Sequence, residues 1–322
     1  MKAAFPSSIL CLALAGACAT PTPPKPPSAA ASDDPGDQGL LPEYEAALRA
    51  AGIPPETIQC NGRQVWSSTV GPDSERGTDD ILRAVEATAG ASLPAAGGEA
   101  RTALEKEVRQ LVFWRLIRVV LLGGNHNNLG AVAVRGLTTD AGKPVLLYRS
   151  GITPTPAAPG ACFRSLVEEG GVRHAVNLYA GAIPTKDLDD AERATVEGAG
   201  GSYFLGRTVD PGAASWRSAM RKDPGKIRES MQTVARIIND HVLRPGGAKP
   251  KGNVLVHCGG GMHRTGMVVG VLQRCINGVG PDVIERQYKQ HTAYGGPDET
   301  GGFEQENLDF VREFDCSLLK QP

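Results

Sequence analysis

The chain is poor in aromatic residues, which make up 5% of its 322 positions. Such a sequence has to build its core mainly from alanine, valine and leucine. Charge of one sign is also lacking, because 34 lysines and arginines stand against 35 aspartates and glutamates. No basic stripe alternates with aromatic residues, which argues against nucleic acid as a partner. The sequence contains no internal repeat.

Long hydrophobic runs are missing beyond the first 18 residues. The strongest candidate, Leu111 to Leu122, contains Arg115 and Arg118. A membrane-spanning helix needs about 20 predominantly apolar residues. We therefore predict a buried helix at this position.

The N-terminus has the features of an export signal. Lys2 precedes a short apolar core, Ile9 to Ala17, that ends in small residues. The segment Ala15 to Cys18 resembles the cleavage box of bacterial lipoproteins, which predicts a signal peptide over residues 1–18 and a lipid anchor on Cys18. The protein would then be exported and held at the outer membrane, in the periplasm or at the cell surface. A signal peptide cut near Ala17 or Ala19, giving a soluble secreted protein, is the alternative.

Two segments lie between this signal and the first predicted strands. Residues 19–39 are rich in Pro, Ala, Ser, Asp and Gly and show no apolar period, which is typical of a disordered linker. Residues 40–120 show no catalytic constellation and are predicted to form a helical extension. Its predicted helices cover residues 43–51, 79–88 and 100–122.

From about residue 130, short strands alternate with helices. This alternation predicts an α/β fold in which a central sheet is covered by helices on both faces. The predicted strands cover residues 145–148, 175–178, 202–205 and 253–256. The predicted helices cover residues 163–169, 187–198, 224–243 with Asp223 as N-cap, 267–276 and 303–318.

One stretch indicates a chemistry. Residues 257–266 read His-Cys-Gly-Gly-Gly-Met-His-Arg-Thr-Gly, with Cys258 and Arg264 on either side of a glycine-rich loop. An apolar strand precedes the loop and an apolar helix follows it. This order of elements aims backbone N–H groups and a helix N-terminus at one anion. A thiol in such a cradle loses its proton readily and attacks the anion.

The pattern His-Cys-x5-Arg-Thr-Gly resembles the signature loop of the cysteine-dependent protein tyrosine phosphatase superfamily, especially its dual-specificity and bacterial tyrosine-phosphatase-like branches. Residues 128–130, 147–151 and 171–178 resemble the segments that precede the loop in those bacterial enzymes. The resemblance covers about residues 120–318, so we predict a phosphatase-like domain over residues 121–318. It implies a central, mostly parallel sheet flanked by helices.

The resemblance also implies a role for each residue of the loop. Cys258 is the expected nucleophile, and the planar fork of Arg264 is expected to grip two phosphoryl oxygens. His257 orders the loop. Thr265 is expected to donate its hydroxyl to the Cys258 sulfur, with a plain helix-start residue as the alternative. The residues expected to bind the phosphate are Gly259, Gly260, Gly261, Met262, His263 and Thr265.

The leaving group needs a proton, so a general acid is expected upstream of the nucleophile. Asp210 precedes Pro211 and Gly212 and lies where family members carry their acid. A turn aspartate without catalytic duty is the alternative, because Asp-Pro-Gly favours turns, and Asp223 is the second candidate. Auxiliary roles are considered for four residues: water positioning for Gln287, Gln290 and His291, and an ion-pair or phosphate-facing role for Arg149.

Seven cysteines are present, and three of them are accounted for by the signal segment, the lipid site and the nucleophile. The remaining four allow two disulfides with three possible pairings, and the sequence leaves the pairing open. A free buried thiol at Cys275 is an equal alternative. These four cysteines are Cys60, Cys162, Cys275 and Cys316.

The predicted reaction is hydrolysis of a phosphomonoester through a cysteinyl-phosphate, without metal or other cofactor. Phosphorylated protein, as for a tyrosine or dual-specificity phosphatase, is the default substrate. A phosphoinositide or inositol phosphate is the alternative, because the same loop serves all of these substrates. Met262 and His263 stand where lipid-directed relatives often carry an acid or lysines, which weakens a transfer of lipid specificity. Sulfur transfer, arsenate reduction and a silent phosphate-binding module are the competing functions.

Overall fold

A computed structural model describes residues 40–60, 77–84, 87, 93–122, 127–151, 160–180, 185–292 and 304–322. The predicted signal peptide with Cys18 and the linker over residues 19–39 lie outside the described residues. By its contacts, the chain divides into two compact units. One contains the described residues between 77 and 117, and the other contains those at 40–60 and from 118 onward.

The second unit contains a sheet of five strands. The strands are β1 Gly130–Thr138, β2 Pro144–Gly151, β3 Val172–Asn177, β4 Ser202–Leu205 and β5 Asn253–Cys258. The α-helices of the chain, in order, are α1 Pro42–Ala50, α2 Glu99–Leu122, α3 Ala161–Glu168, α4 Lys186–Gly198, a single turn Gly206–Val209, α5 Pro211–Lys222, α6 Ile227–Ile237, α7 His263–Leu272, α8 Pro281–Thr292 and α9 Gln305–Glu313. Residues 77–84 are also helical.

The strand order across the sheet is β1-β2-β5-β3-β4. The β2–β5, β5–β3 and β3–β4 pairs are parallel, and only the β1–β2 pair is antiparallel. The predicted mostly parallel α/β sheet is therefore confirmed. In this order β5 is the central strand, so the residue that ends it is held by neighbours on both sides.

Apolar side chains cover both faces of this sheet. On β2, Val145 and Leu147 belong to one buried cluster, and Leu146 and Tyr148 belong to the other. Successive side chains of a strand point to opposite faces, so a strand buried on both faces becomes an unbroken apolar run. Helices α6, α7 and α9 pack on the first face, and α1 and α3 pack on the second.

The predicted helical extension over residues 40–120 is divided between the two units. Helix α1 packs on β1 in the unit that contains the sheet. It buries Tyr44 and Leu48, which lie four positions apart and so share one face of the helix. Helix α2 confirms the predicted helix at 100–122. No helix within the described parts of the chain is long and apolar enough to cross a membrane.

Two disulfides join the four cysteines whose pairing the sequence left open. Cys60 pairs with Cys162, and Cys275 pairs with Cys316. The alternative of a free thiol at Cys275 is therefore wrong. Cys258 is the free cysteine of the described residues, and it is buried.

The predicted helix over residues 224–243 is composite. A 3-10 turn at Pro224–Lys226 precedes α6, and a π-helix at Ile238–Leu243 follows it. The predicted N-cap is present at the start, where the side chain of Asp223 accepts a hydrogen bond from Gly225 N at 2.9 Å. Helix capping is therefore a sufficient structural role for Asp223, the second candidate for the general acid.

Candidate active site

The loop between β5 and α7 lies at the carboxyl edge of the parallel strands. Strand β5 ends at Cys258 and α7 begins at His263. The amide of Gly266 already donates to Met262 O at 2.7 Å, so the first turn of α7 forms directly after the loop. Cys258 thus lies at a helix N-terminus, where unpaired N–H groups and the helix dipole favour an anion.

Close approach of the backbone explains the glycines of the loop. Gly261 has a φ of +66°, and a Cβ at this position would lie 2.6 Å from Gly151 N. Both the left-handed conformation and the missing space exclude a side chain. A Cβ at Gly259 would lie 3.1 Å from the ring of Tyr179. At Gly261 the loop therefore follows the end of β2 closely enough that only glycine fits, and at Gly259 a side chain would press on Tyr179.

Two side chains hold the loop from the interior. Asn128 Nδ2 donates to Gly260 O at 3.0 Å, and Arg149 Nη2 donates to Gly261 O at 2.5 Å. In a planar trans peptide, the carbonyl and the following N–H point in opposite directions. Fixing these two carbonyls toward the interior therefore aims the amides of Gly261 and Met262 away from it, toward a bound anion.

Asn128 is itself held by a buried chain of hydrogen bonds. Its Oδ1 lies 2.7 Å from His291 Nδ1, and His291 Nε2 lies 2.8 Å from the hydroxyl of Tyr44. Because an amide oxygen only accepts, His291 carries its proton on Nδ1 and accepts from Tyr44 on Nε2. The structure thus places His291, which was considered for water positioning, behind the loop. No sequence pattern links Tyr44 to the loop.

His257 packs beside a buried carboxyl group. Its Nε2 lies 3.4 Å from Glu192 Oε2. Burial lowers the pKa of His257 to about 3 and raises the pKa of Glu192 to about 8, so both side chains are neutral at pH 7 and form no ion pair. Glu192 also accepts from the hydroxyl of Tyr203 at 2.7 Å. Neither ring nitrogen of His257 forms a hydrogen bond within the described residues, so its contact with the loop is through packing and backbone.

Glu192 makes the stability of the protein dependent on pH. Between pH 4.5 and about pH 8, the unfolded chain releases a proton that the folded chain keeps, so stability falls as the pH rises through this window. We expect Glu192→Gln, which cannot ionise, to melt several degrees above the wild type near pH 8. The advantage should vanish near pH 4.5. Thermal melting of both proteins across this range is the measurement, and two parallel curves would contradict the assignment.

His263, at the start of α7, is held in place by polar side chains of α8 and α9. Its Nδ1 lies 3.0 Å from the hydroxyl of Tyr288, which also accepts from Asn307 Nδ2 at 2.7 Å. Burial, aided by the nearby Arg217, lowers the pKa of His263 to about 4. The imidazole is therefore neutral at pH 7 and able to donate a hydrogen bond but not to supply a full charge.

Arginines surround this side of the loop. Arg217 and Arg221 on α5 both pair with Glu304, the second of them at 3.2 Å. Burial lowers the pKa of Arg264, the Cys258 charge raises it, and the charge of Arg217 lowers it further. An arginine stays protonated in any such setting. One carboxylate thus faces three guanidinium groups, which leaves the site positively charged.

Two further predicted residues have defined surroundings. Thr265 is fully buried, and its hydroxyl forms no hydrogen bond in the described part of the chain, to Cys258 or otherwise. Asp210 is the N-cap of α5, where its Oδ1 accepts from Gly212 N at 2.9 Å. Its Oδ2 lies 3.4 Å from Arg236 Nη2, and the side chain is 37% exposed. Asp210 therefore begins the helix that carries Arg217.

Comparison with known proteins gives a structural likeness but no sequence relative. No family model and no curated protein matches the chain. Among solved structures, the chain is similar to the core catalytic domain of the PP-IP phosphatase SIW14 from S. cerevisiae in complex with citrate. The sequence identity is 17% and the TM-score is 0.32, over 52% of this chain and 80% of that chain. This likeness concerns the arrangement of the chain alone.

Proposed function

We propose that the protein hydrolyses phosphomonoesters through a cysteinyl-phosphate intermediate. The observation that carries this proposal is the loop after β5, in which the free Cys258 starts a run of amides whose carbonyls are held from behind by Asn128 and Arg149. Convergent amides at a helix N-terminus bind an oxyanion. A thiol at the base of such a site is placed to attack the phosphorus of that anion.

The chemistry follows in two steps. The Cys258 sulfur bonds to phosphorus while the bond from phosphorus to the ester oxygen breaks, and that oxygen takes a proton. Water then attacks the phosphorus and the sulfur–phosphorus bond breaks. Inorganic phosphate leaves with both protons of the water, and the Cys258 sulfur is again a thiolate. Arg264 stabilises the negative charge on the phosphoryl oxygens in both steps, because its planar fork matches two of them.

We propose Asp210 as the acid that protonates the leaving group. Asp210 lies at the start of α5, and the same helix carries Arg217, which is close enough to Arg264 to lower its pKa. The carboxyl group of Asp210 is also partly exposed, so a substrate can reach it. Its contact with Gly212 N is a capping bond that asparagine keeps, so Asp210→Asn removes the acid without removing the cap.

We expect Asp210→Asn to lower kcat about a hundredfold for an alkyl phosphate. The effect on para-nitrophenyl phosphate should be small, because nitrophenolate leaves without a proton. Steady-state phosphate release on both esters measures the difference. Equal losses on the two esters would assign the acid to another residue.

The test of the proposed function is phosphate release together with detection of the intermediate. The wild type is incubated with phosphotyrosine and phosphoserine peptides, a phosphoinositide and inositol hexakisphosphate, in reducing and chelating buffer. Acid quenching during turnover, followed by peptide mass spectrometry, should place the phosphoryl group on Cys258. Absence of phosphate release from every ester overturns the proposal, and persulfide on Cys258 from thiosulfate would favour sulfur transfer.

Phosphorylated protein is the substrate class we propose first, as for tyrosine and dual-specificity phosphatases. Inositol phosphates are the second candidate, and one observation favours them. Arg217 and Arg221 share the single carboxylate of Glu304 next to Arg264, so positive charge remains for further phosphate groups of the same substrate. Arg221→Gln should then weaken turnover of inositol hexakisphosphate and leave turnover of phosphotyrosine peptide unchanged.

A further inference from the structure

Arg149 lies under the loop on the same side of the sheet as Cys258. In the parallel pair of β2 and β5, Arg149 stands opposite Val256 and Gly151 stands opposite Cys258. Residues two apart on a strand share a face. Both side chains therefore project toward α7, and a Cβ at Gly266, in the first turn of that helix, would lie 3.6 Å from Arg149 Nη2. The guanidinium is enclosed between the strand, the loop and the helix.

Among the described residues, the charge of Arg149 has a single candidate partner. The groups that act on it electrostatically are Tyr44 on α1, Cys258 on β5 and Tyr288 on α8. None of them is a carboxylate. Burial raises the pKa of Tyr44 and of Tyr288 to about 12, so both phenols are neutral at pH 7. Of the two side-chain types, phenol and thiol, the thiol more readily becomes an anion.

A buried arginine without a counter-charge is costly, because removal of an ion from water is offset only by a close opposite charge and by hydrogen bonds. The Nη2 of Arg149 has such a bond to Gly261 O, whereas its Nε is buried without a partner among the described residues. Arg149 is only 3% exposed, so water does not compensate the charge of its guanidinium. An anion at Cys258 does.

We propose that Arg149 is the interior counter-charge of the Cys258 thiolate, and that it positions the loop and holds the nucleophile ionised while Arg264 grips the substrate from the other side. The inference rests on the proposed function in taking Cys258 as the nucleophile. The pairing persists through the reaction. When the sulfur bonds to phosphorus, the thiolate charge is replaced by the negative charge of the phosphoryl group in the same cradle.

The test separates the charge of Arg149 from its hydrogen bond. Arg149→Gln keeps a donor for Gly261 O and removes the charge, whereas Arg149→Lys keeps the charge. The rate of alkylation of Cys258 by iodoacetamide is measured against pH in both variants and in the wild type. The other charged or titratable groups around the loop are the same in all three proteins. They are His257, His263, Arg264, Arg217, Arg221, Glu304, Glu192, His291, Tyr44, Tyr179 and Tyr288.

We expect the pH midpoint of alkylation to rise by about one unit or more in Arg149→Gln. In Arg149→Lys it should stay within about half a unit of the wild type. Equal midpoints in Arg149→Gln and the wild type, or equal rises in the two variants, would overturn the inference. If Arg149→Gln does not fold, Arg149→Lys alone still decides, because a midpoint near the free-thiol value of about 8.5 contradicts a charge role.

Alkylation does not require turnover, so its outcome is independent of the proposed function. A wild type that releases no phosphate, yet shows the midpoint shift, would end the phosphatase proposal and keep the charge pairing. An active wild type, combined with no midpoint shift in Arg149→Gln, would keep the phosphatase proposal and end the charge pairing.

Discussion

Cys258→Ser should reduce phosphate release by about four orders of magnitude or more, the scale on which a serine protease loses turnover without its nucleophile. Serine fills nearly the same space, but its hydroxyl keeps its proton at neutral pH and is a far weaker nucleophile than a cysteine sulfur. The amides of the loop and Arg264 remain in place. Binding of the phosphate ester should therefore persist while the formation of the intermediate stops.

Phosphate release and binding are measured on the same ester with the same protein. Isothermal titration of Cys258→Ser with the best substrate of the wild type should give a measurable Kd. The double variant Cys275→Ser/Cys316→Ser is the matched control, since it removes two other sulfur atoms and keeps the loop. Turnover that survives Cys258→Ser would exclude a cysteinyl-phosphate.

Arg264→Lys should lower kcat by about a thousandfold. Lysine preserves one positive charge, so the ground-state ester still binds and KM changes less than kcat. The lost feature is the planar pair of N–H donors, which matches two phosphoryl oxygens and is not replaced by an ammonium group. An interaction that strengthens in the transition state shows itself in kcat.

Arg312→Lys is the control for the arginine-to-lysine change. Arg312 on α9 pairs with Glu285 at the surface, and its substitution should leave both kinetic constants unchanged. A loss in KM alone for Arg264→Lys would show that this residue only binds the substrate. Similar losses for both arginine variants would point to an effect on folding.

Local patterns were sufficient to predict most of the parallel sheet. Strands β2 and β5 contain the unbroken apolar runs 145–148 and 254–256 because both of their faces are covered, and such runs stand out in a sequence. The sequence patterns did not predict helix α5, although Asp210 and Pro211 mark its start. Asp-Pro-Gly signals a turn, but an aspartate N-cap followed by proline also starts a helix, and tertiary packing selected the helix.

The residues of the candidate site also fall into a part that the sequence predicts and a part that it does not. The residues of the loop follow one another in the sequence, so a motif identifies Cys258 and Arg264 together. The supporting residues do not, because Asn128 and His291 stand 163 positions apart. A hydrogen bond across that distance leaves no local pattern. Cysteine counting allowed two disulfides or a free thiol at Cys275. It did not determine which residues pair, because disulfide partners are also distant in the sequence.

The hydrogen bond from Tyr44 to His291 joins positions 247 residues apart. During synthesis, the first partner leaves the ribosome long before the second exists. Asn128 lacks its buried neighbour until almost the whole chain has been made, and contacts of such long range form late because closing the intervening chain is entropically costly. A nascent or truncated chain that ends before His291 therefore carries the thiol but not the completed cradle.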